Sequence, residues 1–450
     1  MITTENTPHF IKNALRWAAQ YSPVCYLTGN GVAEHAFPQM LAVGVVSEVK
    51  TGALETDKLK TSGLKTSGLK IGALETSENS FETLQKWLDA EQNTWKFGYF
   101  SYDLKNELEN LSSQHADPIG FPALHFFVPQ FLFIFKKETI EIHTKNIAES
   151  EAEKLIATLK IAQKEEETPV FTKKINLRPQ LPKSAYLDII AAIKNHIIEG
   201  DVYEMNFCQA FFAENAAINP ISTFQKLNNR TKSPFAAYYT VEKRHLLCAS
   251  PERFLQKKGQ MLISQPIKGT IKRGNTPDDD ELLKKTLQNS EKDRAENVMI
   301  VDLVRNDLAK SCEIGSVCVP ELCKIYSFAQ VHQLISTVEG SLRVEVSAIE
   351  ALRCAFPMGS MTGAPKIMAM QLIEKYEQTK RGLYSGAVGY IAPSGDFDFN
   401  VVIRSLFYNE RSQFLSAQVG GAIVYDSDPE SEYAECLLKL KAIKEVLSEL

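Results

Sequence analysis

Apolar residues recur at two different spacings along this chain, and the two spacings predict a protein of mixed helices and strands. Helical spacing runs over Phe10–Gln20 and over residues 184–199, where the pattern stops at Gly200. Strand-like apolar and aromatic runs occupy other stretches, such as residues 124–135 and 205–212. Because both patterns continue along the whole chain, we expect a mixed α/β or α+β fold.

Three local predictions follow within the first part of the chain. Ser80 is expected to cap a helix that extends to about Gln92. Met40–Val49 is expected to be a strand with a break at Gly44. Residues 124–135 are expected to form two paired strands.

Two stretches without either pattern divide the chain into regions. Residues 51–79 repeat the short motifs Gly-Ala-Leu-Glu-Thr and Lys-Thr-Ser-Gly-Leu, which is typical of an exposed low-complexity insertion. Residues 166–183 are charged and contain three prolines, which is typical of a linker. We therefore predict an N-terminal region at 1–165, a linker, and a second region at 184–450.

Composition excludes several classes of function. The chain has 450 residues, of which 44% are hydrophobic and 23% charged, as in soluble globular proteins. Its net charge of -5 offers no basic field for nucleic acid. The most apolar stretch, residues 121–135, is too short and too often broken for a membrane span, and no signal segment is visible. With eight scattered cysteines and no C-x-x-C pair, we expect reduced thiols, a cytoplasmic location, and binding to neither nucleic acid nor membrane.

A lysine between apolar residues and a Gly-Thr pair is the first candidate for chemistry. Lys268 lies in the stretch Pro-Ile-Lys-Gly-Thr at residues 266–270. Burial lowers the pKa of a lysine, and a neutral amine is a nucleophile or a base. Taken alone, a lysine before Gly-Thr is more often an ordinary loop cation.

Two acidic pairs are the second candidate. Asp293 and Glu296 are three residues apart on a predicted helix, and Glu432 and Glu435 are three apart on another, with Lys439 four residues further. Each pair would therefore share one helix face. Together they could hold a hard divalent cation such as Mg²⁺, although solvated helix faces carry the same pattern.

Two more stretches suggest contacts to a carboxylate. The glycine-rich residues 359–366 lack P-loop spacing but could offer amides and a hydroxyl to an anion, or could simply form a turn. Arg404 lies in an apolar, strand-like run and needs either an ion-pair partner or a ligand. Gly420 and Gly421 in another such run imply close approach of the backbone. A nucleophilic hydrolase is not supported, because no G-x-S-x-G motif occurs.

Taken in order, these stretches resemble the chorismate-utilising enzymes, which include the anthranilate, aminodeoxychorismate, isochorismate and salicylate synthases. The resemblance covers about residues 183–447, with Gly98–Glu107 similar to the N-terminal region of the family. The matching segments are Gly200–Tyr203, Ser250–Phe254, Pro266–Thr270, Ala295–Asp307, Gly359–Lys366, Gly389–Tyr390, Ile403–Arg404 and Asp426–Lys439. The resemblance implies a large two-lobed β-α-α-β sandwich with the site between the lobes.

Within that family, Lys268 is similar to a residue of the aminodeoxychorismate-forming branch, whereas the anthranilate and isochorismate branches usually carry alanine there. The resemblance implies that Lys268 attacks C2 of chorismate with loss of the C4 hydroxyl, that ammonia then adds at C4, and that Glu252 is the general acid and base. The product would be 4-amino-4-deoxychorismate, a precursor of 4-aminobenzoate and folate. No glutaminase segment is visible, so a separate glutamine amidotransferase subunit would supply the ammonia.

The resemblance also implies a magnesium ion and a set of substrate contacts. The implied Mg²⁺ ligands are Glu296 and Glu435, with Asp293 and Glu432 in support. The implied substrate contacts are Lys439 at the ring carboxylate, Arg404, Tyr390 and the amides near Gly420 and Gly421 at the enolpyruvyl carboxylate, and Gly269, Thr270 and Thr362 along the pocket.

Three positions depart from the family pattern. Glu204 stands where glutamine is usual, and because it is not lysine it argues against an isochorismate or salicylate synthase. Gln333 stands where histidine is usual, with His332 beside it, and Ala422 replaces a glycine of the carboxylate-binding loop. Two alternatives therefore stay open at this point: an anthranilate synthase component I, and a chorismate-binding protein without catalysis, which would bind chorismate in the presence of Mg²⁺ and not consume it.

Overall fold

The computed structural model describes residues 1–7, 9–32, 36–52, 79–161, 174–328 and 331–449. Nearly all of the insertion predicted at 51–79, and the part of the linker before residue 174, lie outside these ranges. Among the described residues, no helix has both the length and the apolar character needed to cross a membrane.

The described residues form eleven helices and two large sheets, so the mixed class predicted from the sequence is confirmed. The helices are α1 (Phe10–Ala18), α2 (Ser80–Ala90), α3 (Lys105–Leu108), α4 (Glu149–Lys160), α5 (Lys183–Glu199), α6 (Pro220–Thr231), α7 (Pro277–Gln288), α8 (Glu291–Ala309), α9 (Ala348–Ala355), α10 (Lys366–Tyr376) and α11 (Pro429–Ser448). The strands are β1 (Ile2–Glu5), β2 (Val24–Thr28), β3 (Gln39–Val43), β4 (Ser47–Thr51), β5 (Lys96–Phe100), β6 (Leu124–Val128), β7 (Phe131–Phe135), β8 (Thr139–Thr144), β9 (Arg178–Pro179), β10 (Glu204–Ala213), β11 (Phe235–Val241), β12 (Arg244–Ser250), β13 (Arg253–Lys258), β14 (Met261–Gln265), β15 (Ile267–Lys272), β16 (Cys318–Ser327), β17 (Val331–Ser341), β18 (Gly363–Ala364), β19 (Ala387–Ile391), β20 (Phe397–Asn400), β21 (Ser405–Asn409) and β22 (Phe414–Ile423).

The first sheet has twelve strands in the order β1-β8-β7-β3-β2-β11-β12-β21-β22-β10-β18, with β9 also paired to β10. The second has ten in the order β15-β17-β14-β13-β20-β19-β5-β6-β4, with β16 also paired to β17. Strands from before and after the predicted linker lie in both sheets. The linker therefore marks a boundary along the chain and does not separate two independently folded bodies.

The two sheets pack against each other in the middle of the molecule. Tyr239 of the first sheet lies between Tyr99 and Phe127 of the second, at ring-centroid distances of 5.1 and 6.1 Å. Helices α5, α6 and α11 cover the outer face of the first sheet, and α2, α8 and α9 cover the second. The layer order is thus helix-sheet-sheet-helix and differs from the β-α-α-β order expected from the resemblance. Each sheet carries apolar side chains on both faces and therefore needs a covering layer on each side, whereas an amphipathic helix buries only one of its own faces. The sheets accordingly cover each other on the inside, and helices cover them on the outside.

The prediction of two strands at residues 124–135 is correct in position but wrong in pairing. β6 pairs with β4 and β5 in the second sheet, whereas β7 pairs with β3 and β8 in the first. The chain also changes sheets between β3 and β4, at Gly44, whose φ is 71°. This change of sheet lies against the one between β6 and β7, because a Cβ at Gly44 would lie 2.6 Å from Oε1 of Gln130, which is in the β6–β7 connection. The predicted break at Gly44 is therefore confirmed as a change of sheet.

The predicted cap of α2 is wrong by one residue. The side chain of Asn79 accepts the hydrogen bond from the amide of Phe81 at 2.8 Å, which is the capping interaction. The hydroxyl of Ser80 donates instead to Glu107 at 2.7 Å. A tertiary hydrogen bond thus occupies the side chain that the local pattern assigned to the cap.

A buried ion pair stabilises the loops that surround one end of β10. Arg381 binds the carboxylate of Glu377 and also donates to the carbonyl oxygens of Met361 at 2.6 Å and of Asn206 at 3.0 Å. Its side chain is 1% exposed and that of Glu377 is 5% exposed. Because one guanidinium connects three segments, this pair fixes the position of β10 relative to the glycine-rich turn at residues 359–364.

We predict that Arg381→Ala lowers the free energy of unfolding by about 3–5 kcal/mol, because it leaves the buried Glu377 carboxylate without its partner. Urea unfolding measures the effect. Arg305→Ala, which breaks an exposed pair with Asp302, is the matched control and should cost about 1 kcal/mol or less. Equal effects of the two substitutions would contradict this role for Arg381.

Candidate functional site

The site forms where an edge of one sheet meets an edge of the other. β15 is the edge strand of the second sheet and carries Lys268, whereas β10 lies beside the short edge strand β18 of the first sheet and begins with Glu204. Nζ of Lys268 donates a hydrogen bond to Oε1 of Glu204 at 2.6 Å. The side chains are 10% and 0% exposed, so a buried ion pair joins the two sheets at this point.

The burial expected for Lys268 is present, but the expected direction of its pKa is wrong. Burial acts to lower the pKa of Lys268, yet the charges of Glu204 and Glu296, together with the hydrogen bond to Glu204, outweigh it and raise the pKa. The amine is therefore held as an ammonium ion in the free protein. To act as a nucleophile it must first give its proton to another group.

Glu252 lies between β12 and β13, and its side chain is buried. Its amide donates to Oγ of Ser250 at 3.2 Å, and its carbonyl oxygen accepts from the amide of Val401 at 3.0 Å. Burial raises the pKa of Glu252 to about 7, against a hydrogen bond from Ser360 and the charge of Lys268. A carboxyl group with a pKa near neutrality can both donate and accept a proton at physiological pH.

The glycine-rich turn contributes to the site through its backbone. Gly363 has a φ of 149°, and a Cβ there would lie 2.1 Å from the carbonyl oxygen of Glu204. The carbonyl oxygen of Thr362 accepts a hydrogen bond from the amide of Asn206 at 2.8 Å. The hydroxyl of Thr362 donates to the carbonyl oxygen of Met358 at 3.2 Å. The predicted pocket-lining Thr362 is thus fully buried and holds the start of β10, next to Glu204.

The structure brings the two predicted acidic pairs close together at a partly exposed place, which we call the opening; it is formed by Glu296, Glu432 and Glu435 with Lys292 and Lys439. Nζ of Lys292 lies 3.9 Å from Oε1 of Glu296 on α8 and 3.8 Å from Oε1 of Glu432 on α11. Burial raises the pKa of Glu296 to about 7, against the charge of Lys268. A Cβ at Gly269, whose φ is 86°, would lie 3.0 Å from Cβ of Asp293, so the lysine-bearing strand packs against this acidic face of α8.

The pair on α11 lies against the two glycines of β22. Nζ of Lys439 is 2.7 Å from Oε1 of Glu435 and donates to the carbonyl oxygen of Gly420 at 2.6 Å. A Cβ at Gly421 would lie 3.2 Å from Oε2 of Glu432 and 3.7 Å from Oε1 of Glu435. The close backbone approach predicted for the glycine pair therefore leaves room for two carboxylates and one ammonium group.

These carboxylates suit a hard cation. Burial raises the pKa of Glu432, against a hydrogen bond that the hydroxyl of Ser427 donates to it at 2.7 Å. In the described part of the chain, no three oxygens of the four predicted ligands lie within 4.8 Å of one another. Mg²⁺ is commonly held by one or two carboxylates and several waters, so the donor set still fits it.

Another cluster, His196, Glu199 and Asp201, does have converging ligand atoms. Both ring nitrogens of its histidine are already engaged, by Asp201 at 2.6 Å and by the hydroxyl of Tyr376 at 2.9 Å. Since no ring nitrogen is left for an ion, we do not treat this cluster as a metal site.

Arg404 does not lie inside a strand, as the sequence suggested, but in the bend just before β21. Its φ is 53°, in the left-handed region that non-glycine residues rarely adopt. Burial lowers the pKa of its guanidinium, against the charge of Glu435. No ion pair or side-chain hydrogen bond is formed by Arg404 within the described ranges. A partly buried, unpaired guanidinium beside the acidic opening is suited to binding a carboxylate.

Tyr390 is the predicted site residue that the structure links least to the others. Its ring packs against Trp95 at 5.8 Å and Phe97 at 6.4 Å, and burial together with the charge of Asp398 raises the pKa of its hydroxyl. No hydrogen bond joins Tyr390 to Arg404 in the part of the chain that is described.

The departures from the family pattern have clear positions. Nε2 of Gln333 donates to the exposed Thr270 at 3.3 Å. His332 is engaged elsewhere, by Asp280 at 2.9 Å and by the hydroxyl of Ser327 at 2.8 Å, so it does not face the site. Ala422 pairs with Asn206 in the first sheet.

Three contributors were missed by sequence reasoning. Glu204 was noted only as a departure without a role, Lys292 was not assigned one, and Ser360 was not singled out within its turn. Lys292 could have been found from the sequence, because a lysine four residues before a glutamate on a helix predicts an ion pair with it, here Glu296. The partnership of Glu204 with Lys268 spans two sheets, and no local pattern reveals it.

Comparison with known proteins shows which family this sequence is similar to. The sequence profile of the chorismate binding enzymes matches residues 26–445. The chain is 39% identical over 320 residues to the chloroplastic aminodeoxychorismate synthase of Arabidopsis thaliana, which covers 69% of this chain and 34% of that protein. It is 32% identical over 364 residues to aminodeoxychorismate synthase component 1 of Bacillus subtilis (strain 168), which covers 78% of this chain and 76% of that protein.

A solved structure shares the fold. Anthranilate synthase component I from Streptococcus pneumoniae TIGR4 superposes with a TM-score of 0.76 at 27% identity, over 92% of this chain and 93% of that one. The expected likeness to that fold is therefore confirmed. The chain spans about a third of the length of the plant relative and about three quarters of the bacterial component.

The raised pKa of Glu252 predicts a pH-dependent change in stability. Its pKa of about 7 exceeds the ordinary value of about 4.3 in an unfolded chain, so the folded protein loses stability as pH rises from about 5 to 7. Glu252→Gln removes the buried charge, and should raise the free energy of unfolding by about 2–3 kcal/mol at pH 8 and very little at pH 5.

Urea unfolding at the two pH values, without added metal, measures this difference. Glu199→Gln is the matched control, because it makes the same change at an exposed position and should show no such pH dependence. A gain at pH 5 equal to that at pH 8, or a loss at pH 8, would contradict the raised pKa.

Proposed function

The chain belongs to the chorismate binding enzymes, and on this premise we propose that it is an aminodeoxychorismate synthase component I. It would convert chorismate and ammonia to 4-amino-4-deoxychorismate, on the route to 4-aminobenzoate and folate. The observation that carries the proposal is Lys268, an amine held by Glu204 at 2.6 Å where the two sheets meet, beside a carboxyl group with a pKa near 7.

The residues of this chain fit the steps of that reaction. Once it has lost its proton, the amine of Lys268 attacks C2 of chorismate, both conjugated double bonds of the ring shift, and the C4 hydroxyl leaves. Glu252 can donate the proton that this leaving hydroxyl needs, because its carboxyl group is substantially protonated at neutral pH. Ammonia then adds at C4, and Lys268 is released from C2.

The unpaired guanidinium of Arg404 would bind the enolpyruvyl carboxylate. The backbone amides around Gly420 and Gly421 would contribute to binding the same carboxylate. Lys439, which donates to the carbonyl oxygen of Gly420, would hold the ring carboxylate. Such fixed cations orient a dianionic ring relative to Lys268.

Magnesium is the expected cofactor. Glu296 and Glu435 would hold it, with Asp293 and Glu432 in support, since these carboxylates face one opening and two of them have raised pKa values that reflect costly burial of negative charge. When bound, Mg²⁺ would offset the charge of a dianionic substrate at its ring carboxylate.

The expected partner is a glutamine amidotransferase subunit that supplies ammonia. Relatives of this chain are named as a first component, which implies a second one. No nucleophile elbow of a glutaminase occurs in the sequence. Free ammonium should therefore support the reaction of the isolated chain, and we expect this reaction in the cytoplasm.

Anthranilate synthase component I is the second candidate, because a solved structure with this fold bears that name. Its product has lost pyruvate and is aromatic, whereas 4-amino-4-deoxychorismate keeps the enolpyruvyl group. The alternative of a chorismate-binding protein without catalysis is not supported, because the chain belongs to an enzyme family.

We predict that the purified chain, given chorismate, Mg²⁺ and ammonium, forms 4-amino-4-deoxychorismate. Liquid chromatography with mass spectrometry identifies the product. Omission of ammonium is the control. Accumulation of anthranilate would favour the second candidate, and Mg²⁺-dependent binding of chorismate without its loss would contradict the proposed function.

We further predict that Lys268→Ala lowers the rate of amination by about 10³-fold or more, because the nucleophile is missing, while chorismate still binds. Lys272→Ala, which changes an exposed lysine of the same strand, is the matched control and should keep the wild-type rate. Steady-state rates and isothermal titration calorimetry measure the two effects. A Lys268→Ala enzyme that aminates chorismate at the wild-type rate would exclude covalent catalysis by this residue.

A further inference from the structure

One buried carboxylate has no role in the steps described so far. Glu204 is fully buried, and only one of its two oxygens is satisfied. Oε2 has no hydrogen-bond partner among the described residues. A buried carboxylate oxygen without a partner is costly, so such a group is retained at a site when its charge or its proton affinity is used there.

The backbone on either side fixes where this carboxylate can be. Glu204 pairs with Ala364 across the edge of the first sheet, and the amide of Tyr203 donates to the carbonyl oxygen of Ala364 at 2.7 Å. The close contact of Gly363 with the carbonyl oxygen of Glu204 leaves no room for a side chain there. The glycine-rich turn thereby holds Glu204 in place against β15.

Three carboxylates surround the amine of Lys268 on different elements. They are Glu204 on β10, Glu252 between β12 and β13, and Glu296 on α8, and the charge of each acts on the amine. Glu204 is the one that forms a hydrogen bond with Lys268 in the described part of the chain. Lys439 acts in addition on Glu252, and Lys292 on Glu296, whereas neither is paired with Glu204.

We propose that Glu204 is the proton acceptor that converts Lys268 from an ammonium ion into the attacking amine, and that it returns the proton when Lys268 is released. The proposal rests on the proposed function, because it takes Lys268 as the nucleophile. Glu204 touches the reacting nitrogen directly, at 2.6 Å, so the proton has the shortest route to this carboxylate.

The steps balance in protons and charge. In the first, Nζ of Lys268 loses one proton to Oε1 of Glu204 and forms the bond to C2, while the C4–O bond breaks and the hydroxyl leaves as water with the proton of Glu252. The adduct nitrogen is then a secondary ammonium, Glu204 is neutral and Glu252 is ionised.

In the second step, ammonia bonds to C4 and the C2–N bond breaks, with its electron pair returning to Lys268. Glu204 gives its proton back to the free amine, and Glu252 takes one proton from the new ammonium group on C4. The protein is thus restored to its starting state, and no external oxidant or reductant is needed.

Glu204→Gln tests the proposal, because it keeps the shape of the side chain and an oxygen that can accept from Lys268 but cannot take its proton. The first measurement is the rate at which the Lys268–chorismate adduct forms with Mg²⁺ and no ammonia, followed by quenched-flow mass spectrometry between pH 6 and pH 9. Glu204→Asp is the conservative variant, and Glu199→Gln is the control at an exposed position.

With glutamine at 204, Lys268 must lose its proton to solvent before it attacks. We therefore expect adduct formation about 10²-fold slower than in the wild type at pH 6, with the deficit shrinking about tenfold per pH unit until the amine of the variant is neutral. Glu204→Asp should recover part of the rate at pH 6. A Glu204→Gln to wild-type ratio that does not change with pH would overturn the proposal.

The second measurement needs no turnover. Reductive methylation by formaldehyde and cyanoborohydride, followed residue by residue by mass spectrometry, reports the fraction of neutral amine at Lys268. Since the charge of Glu204 raises the pKa of Lys268 against burial, methylation in Glu204→Gln should begin at lower pH than in the wild type, whereas Lys272 should be unchanged. Equal profiles would also overturn the proposal.

The two proposals can fail separately. If the wild type forms neither the adduct nor 4-amino-4-deoxychorismate, the proposed function fails and this proposal with it. If the wild type forms both and Glu204→Gln matches it at every pH, the proposed function stands and only the role of Glu204 is wrong.

Discussion

The buried ion pair between Lys268 and Glu204 is the constraint on which the rest of this structure depends. It joins β15, at the edge of one sheet, to β10, beside the edge of the other. Removing either partner would leave the other charge buried and uncompensated, which is strongly destabilising in proteins. The glycine-rich turn and the hydrogen bonds of Arg381 fix β10 in the position in which Glu204 reaches Lys268.

Around this pair, charge is balanced over a short distance. Carboxylates of α8 and α11 meet at one opening with Lys292 and Lys439 beside them. Arg404 lies next to them and has no ion-pair partner among the described residues. Burial holds two of the nearby carboxyl groups, Glu252 and Glu296, at pKa values near 7. Such an arrangement suits a dianionic substrate that arrives together with a divalent cation, and it supports the assignment to chorismate chemistry.

Much of this organisation was readable from the sequence because it is local. The helices that carry the acidic pairs follow from their spacing, and the sheet change at Gly44 was visible as a break. The pairing of β6 and β7 with different sheets was not predictable, since both strands are apolar on both faces and no local signal says which neighbour each will choose. The layer order was taken from the resemblance and differs from the structure. Strands that are apolar on both faces carry no local signal of which element covers each face, so the sequence could not correct it.

At the site, the sequence pointed to Lys268 but not to its state. Apolar flanking residues suggested a lowered pKa, whereas three carboxylates from distant parts of the chain raise it. Arg404 was placed in a strand because its neighbours are apolar, although a left-handed backbone at this residue ends the extended run. The first error concerns contacts between segments that are far apart in the sequence, and the second concerns the backbone conformation of one residue. Periodicity carries no information about either.

The central claim is that Lys268 is the nucleophile, and peptide mapping of the chorismate adduct tests it most directly. Wild-type protein with chorismate and Mg²⁺, but without ammonia, is quenched during the first turnover and digested. The account predicts that the mass of chorismate less one water is found on the peptide that contains Lys268, and that it disappears when ammonium is added. An adduct on a different residue, or product formation with no adduct at any time, would contradict it.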